Sequence, residues 1–109
     1  MKAIGLSLRG VAAGIKYDGS PVLKAGGCFM AGLATHPSAE PGSLVVRMDL
    51  EQRDWLLDEA PDTYYVTDYY RPYPIVLVRL ARVNHDALRD VLAVSHRLAL
   101  EKSRRHRGR

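Results

Sequence analysis

The chain has 109 residues, 47% of them apolar and 26% charged; that length holds one domain around one core, and that composition excludes a wholly disordered or collagen-like chain. Its net charge of +4 is unevenly placed, because residues 101–109 (EKSRRHRGR) carry five basic residues against one acid while residues 1–100 hold eleven of each sign. No apolar run approaches the roughly 20 residues of a membrane helix, and the lone Cys28 cannot form an internal disulfide, so no membrane partner is expected and the chain reads as cytoplasmic.

In chain order, Ile4 and Leu8 share a helical face, which predicts a short amphipathic helix closed by Gly10. From Gly14 to Thr35, the turn signals Asp18-Gly19 and Gly26-Gly27 separate short apolar stretches and predict two hairpins, with Cys28 buried on the strand after the second turn. Residues 36–42 (HPSAEPG) read as a surface loop and Ser43–Met48 as the next strand. Asp49 and Gln52 have the spacing of a capping box, opening a helix over about Leu50–Ala60 whose buried side is expected to be Trp55, Leu56 and the pair Leu50/Leu57. Pro61 stops it. Ile75–Val83 is too β-branched at its start to favour helix and is predicted as the central strand. Asn84 caps a last helix to about Leu100, with Leu88, Val91, Leu92, Ser95 and Ala99 on one face.

These elements predict an α+β domain over residues 1–100, an antiparallel sheet with helices packed mainly on one face, followed by a basic tail over 101–109 without fixed structure. Strand alternation sorts Leu44, Val46, Met48, Val76 and Val78 to one sheet face and Val45, Ile75 and Leu77, with Arg47 and Arg79, to the other. Apolar exposure on that second face, together with the shortness of the first helix, favours a twofold homodimer.

Gly19-Ser20-Pro21 with Lys24, Gly26-Gly27 and Ala31, the run SLVVRMDLEQRDWLL at 43–57, TYYVTDYYRPYPIVLVRLARV at 63–83 and the closing helix follow one another in a pattern that resembles the MmcQ/YjbR-like family of small α+β proteins over roughly residues 10–100. The resemblance implies a double-wing sheet flanked by helices. It also implies DNA binding, a label members carry because that shape is similar to winged DNA-binding domains. The chain departs from the family pattern in several places: Cys28 follows Gly26-Gly27 where a lysine is usual, Thr67-Asp68-Tyr69-Tyr70 stands for Thr-Pro-His-Tyr, and Ala12 and Ala13 stand for glutamates.

Catalytic and metal constellations are not apparent. His85 and His96 fall about 16 Å apart along a helix, too far to share a metal, so no metal or other cofactor is expected. Cys28 reads as a small hydrophobe rather than a nucleophile, and Asp54, Asp58 and Glu59 as a solvated helix face. The expectation is therefore a protein that is not an enzyme. Tyr64, Tyr65, Tyr69, Tyr70 and Tyr73 crowd beside Arg71, either as a stacking platform or as a roof over the core. Arg47 and Arg79 either bind phosphate or pair with acids such as Asp49 or Asp68. The tail is either an arm drawn to phosphate by counterion release or a solubilising extension. The combined expectation is a nucleic-acid-binding protein that contacts DNA through Arg47, Arg71, Arg79, Tyr69 and Tyr70 on the body and Lys102, Arg104, Arg105 and Arg107 on the tail. The alternative is a protein-interaction or small-molecule-binding module using the same surface.

Overall fold

The computed structural model describes residues 11–15 and 21–107. Strands β1 (Val11–Ile15), β2 (Pro21–Ala25), β3 (Cys28–Leu33), β4 (Ser43–Arg47), β5 (Tyr64–Tyr65) and β6 (Ile75–Arg79) form one antiparallel sheet in the order β1-β2-β3-β4-β6-β5. Helices α1 (Leu50–Glu59) and α2 (His85–Arg107) pack on it, giving the predicted α+β class. The expected helix before Gly10 and the Asp18-Gly19 turn lie outside the described residues.

Local chemistry sets the element ends. Gly26 and Gly27 take φ of +60° and +82°, the left-handed pair that a two-residue hairpin turn needs, and Ala25 faces Cys28 across it. Cys28 is only partly buried, because it opens its strand beside the turn and packs at the margin of the core. Asp49 caps α1 as predicted, accepting from the Gln52 amide at 2.7 Å, and Asn84 caps α2, accepting from the Ala87 amide at 2.8 Å.

Pairing of β2 with β3 contains an irregularity: Leu23 faces Ala31 and Lys24 faces Phe29, leaving Met30 as an extra residue on β3. Two side chains answer the carbonyls displaced there. Ser95 Oγ of α2 donates to the Met30 carbonyl at 2.6 Å, and Arg47 Nε donates to the Phe29 carbonyl at 2.6 Å. A serine on the apolar face of α2 is thus satisfied while fully buried.

Alternation sorts the residues to the two sheet faces as predicted, but the core has two halves rather than one. Leu44, Val46, Met48, Val76 and Val78 lie under the helices with Leu88, Val91, Leu92 and Ala99. On the other face Val45, Ile75 and Leu77 pack with Tyr70, covered by Phe29, Ala34, Ala39, Tyr65 and Val66. Those three aliphatics are 6%, 7% and 0% exposed. The exposure that favoured a homodimer is therefore absent from this face, because two connecting loops fold over it. The other ground for a dimer, the short first helix, lies outside the described residues.

Three further expectations are corrected. β6 ends at Arg79 rather than Val83 and lies one strand from the edge, because its ladder with β4 stops at Ser43 and the amides of Arg82 and Val83 then turn back onto the Arg79 carbonyl. On α1 the inward positions are Arg53, Leu56, Leu57 and Ala60, whereas Leu50 and Trp55 are 53% and 62% exposed. The inward set has the 3, 4, 7 spacing of one helical face, but an arginine opens it. Finally, residues 101–107 are not an irregular tail: α2 continues to Arg107, with Ser103 buried against the β2–β3 turn.

Candidate nucleic-acid interface

Arg47 ends β4 opposite Ile75, and its bond to the Phe29 carbonyl aims it past the irregular start of β3. Burial pushes its guanidinium below the ordinary arginine value, although an arginine remains charged at any physiological pH. Among the described residues no carboxylate forms an ion pair with it. Arg47, Lys102 and Arg105, with Asp49, Pro74 and Leu98, line a cavity of about 550 Å³. Asp49 accepts from the amide and the side-chain Nε2 of Gln52 at 2.7 and 2.8 Å and forms no ion pair with that group among the described residues, and its single negative charge stands against three cations. The cavity is therefore basic.

A second cavity of about 370 Å³ shares Arg47, Pro74 and Lys102 with the first and adds an aromatic wall of Phe29, Tyr69, Tyr70 and Tyr73. Tyr70 is the structural member of that wall. Its ring is buried, its hydroxyl accepts from the His36 amide at 3.3 Å, and burial raises its phenol above the usual tyrosine range. Tyr69 and Tyr73 are half exposed, and Tyr69 stacks on the His36 ring at 3.5 Å between centroids. The tyrosine cluster thus divides between both readings: Tyr70 and Tyr65 roof the second core, and Tyr69 and Tyr73 offer open faces.

The two loops that carry this wall are tied together. The Ser38 amide donates to His36 Nδ1 at 3.1 Å, which makes that nitrogen an acceptor, so Ser38 Oγ donates to it as well at 2.8 Å. Thr67 Oγ1 then donates to Ser38 Oγ at 2.9 Å. Beneath them the buried Arg53 Nη1 donates to the carbonyls of Arg71, Tyr73 and Ile75 at 3.0, 3.0 and 3.4 Å. Its Nε has no partner among the described residues.

Arg79 does not join this site. It pairs with Ser43 at the opposite end of the β4–β6 ladder, four positions from the Arg47 level, or about 13 Å along a strand. There Nε and Nη2 grip Glu40 at 3.1 and 2.6 Å, Nη1 donates to the carbonyls of Pro61 and Asp62, and the guanidinium lies 4.2 Å from the Tyr65 ring centre. The pairing alternative is the one realised, with Glu40 as partner rather than Asp49 or Asp68. Arg71 is exposed, 3.8 Å from the fully exposed Asp68. Arg104 is exposed and lines neither cavity, and Arg107 is the last residue of α2. The structure thus gathers Arg47, Tyr69, Tyr70, Lys102 and Arg105 and leaves Arg71, Arg79 and Arg104 apart, while the side chain of Arg107 lies outside what is described. Phe29 and Pro74 were missed because nothing local marks them; Tyr73 stood in the counted cluster but was not singled out.

No family model matches the chain, and neither curated proteins nor solved structures provide a match.

Proposed function

We propose that the chain is a nucleic-acid-binding domain that performs no chemistry on its ligand, in line with its resemblance to the MmcQ/YjbR-like family. The observation that carries this reading is the half-buried Arg47, without a carboxylate partner among the described residues, facing a cavity with Lys102 and Arg105. A cation that has lost part of its water and gained no anion is stabilised by any phosphate that enters, and phosphate contact supplies most of the affinity in non-specific nucleic-acid binding. Two half-exposed tyrosines beside it supply faces on which bases stack.

The test is a salt titration of a fluorescent DNA oligonucleotide against the full chain and against the triple variant Arg47→Ala/Lys102→Ala/Arg105→Ala. Binding by the parent chain should weaken linearly in log–log form with salt, and the slope should fall by about two to three in the variant. No affinity for DNA at low salt overturns the reading.

A further inference from the structure

We infer that the joined cleft holds one nucleotide of a single strand, its phosphate among Arg47, Lys102 and Arg105 and its base against Tyr69 and Tyr73. This rests on the nucleic-acid reading above and narrows it to a strand form.

Shape is the first ground. The two cavities, about 550 and 370 Å³, share Arg47, Pro74 and Lys102, so a basic compartment adjoins an aromatic one. Each has the size of a small-ligand pocket. A duplex reader instead needs a projecting helix or ribbon that enters a groove about 12 Å wide. The basic end of α2 does not project, because Ser103 and Leu100 lie against Gly26 so closely that a Cβ there would stand 2.7 and 3.3 Å from their side chains. Lys102 and Arg105 are thereby held over the cleft.

Chemistry is the second. Arg47 and Lys102 line both compartments, Arg105 only the first and the aromatic rings only the second, so cations stand at one end and at the junction and ring faces at the other end, which matches the two ends of a nucleotide and neither a bare anion nor an apolar ligand. Tyr69 is already fixed by its stack on His36, at 3.5 Å and 10° between planes, and Tyr73 stands 6.2 Å from it. The aromatic half is thus ordered in advance, which lowers the entropic cost of seating a base.

The experiment compares three probes at one salt concentration: a thymidine decamer, a ten-base-pair duplex and thymidine 5′-monophosphate. The decamer should bind at least tenfold more tightly than the duplex. Tyr73→Ala should weaken it about fivefold or more, with Tyr73→Phe restoring it. Lys102→Ala, at an exposed position that leaves the fold intact, should weaken it several-fold, and Arg104→Ala should leave the preference for single strand unchanged. Equal affinity for duplex and decamer, or indifference to Tyr73→Ala, overturns the inference while leaving nucleic-acid binding standing. Monophosphate bound as tightly as the decamer would assign the cleft to a free nucleotide and overturn the strand assignment. Failure of all three probes at low salt overturns the broader reading with it.

Discussion

Gly26 and Ser103 touch across the molecule, with room between them for no more than a hydrogen: a Cβ on Gly26 would lie 2.7 Å from Ser103 Oγ and 2.8 Å from Ser103 Cβ. The contact joins a hairpin turn to the last turns of a helix that local sequence marks only as basic. Gly26→Ala would meet both this clash and a φ of +60°, so it should cost about 2–4 kcal/mol and free the end of α2. Denaturant midpoints and far-UV circular dichroism read both effects. Ser103→Gly in the Gly26→Ala background should recover part of the loss, and no recovery would show that the backbone angle alone matters.

Arg53 should prove more important to stability than its larger neighbour Trp55. Arg53→Ala strands three carbonyls of the tyrosine-rich loop and opens a void at a site 7% exposed, a loss of about 2–4 kcal/mol. Trp55 is 62% exposed, so Trp55→Ala should cost about 1 kcal/mol or less. Chemical denaturation of both variants settles the order, and a larger loss at Trp55 would refute it.

Asp49→Ala removes the acceptor of the Gln52 amide and of the Gln52 side chain, and should lower stability by about 1 kcal/mol. An unchanged urea midpoint would mean that the first turn of α1 is held by packing alone.

The Arg79–Glu40 grip should be pH-dependent in one direction. The hydrogen bond from Arg79 holds the Glu40 carboxyl below its ordinary value of 4.5, so the folded chain takes up this proton later than the unfolded chain as acid is added. Its contribution is fully present above about pH 4.5 and is lost as pH falls through the lower folded value. The difference in urea midpoint between the parent chain and Glu40→Gln should therefore be nearly constant from pH 7 to 5 and shrink as pH falls below about 4.5, and a difference that grows as acid is added would contradict the pairing.

Much of the frame is legible in residue order, because its causes are local. Alternation assigns Val45 and Val46 to opposite faces, Asp49 and Asn84 announce their helices, and two glycines can form a turn with positive φ. What was not legible depends on residues far apart. Glu40 and Arg79 are separated by 39 positions, so the arginine's partner could not be chosen from neighbouring acids. Arg53 occupies a helical face that apolarity would have revealed had a leucine stood there. The cover over Val45, Ile75 and Leu77 comes from loops, whose paths carry no periodic signal. For the cleft, residue types were readable and their grouping was not: Arg47 and Lys102 line one cavity only because α2 continues past Ala99, where its apolar spacing ends.

The bond from Ser95 to the Met30 carbonyl spans 65 positions and has a bearing on the order of folding. The β2–β3 hairpin is the most local pairing in the sheet with a described turn, and a hairpin of this kind closes in microseconds when left to itself. Here its irregular register leaves a carbonyl that stays unanswered until the far helix docks. A misaligned hairpin therefore lacks the bond that rewards the correct one, and the choice of register is deferred to the step that joins the two ends of the chain. Ser95→Ala should accordingly slow folding as well as speed unfolding, and a mutational effect confined to the unfolding rate would place that hydroxyl after the barrier.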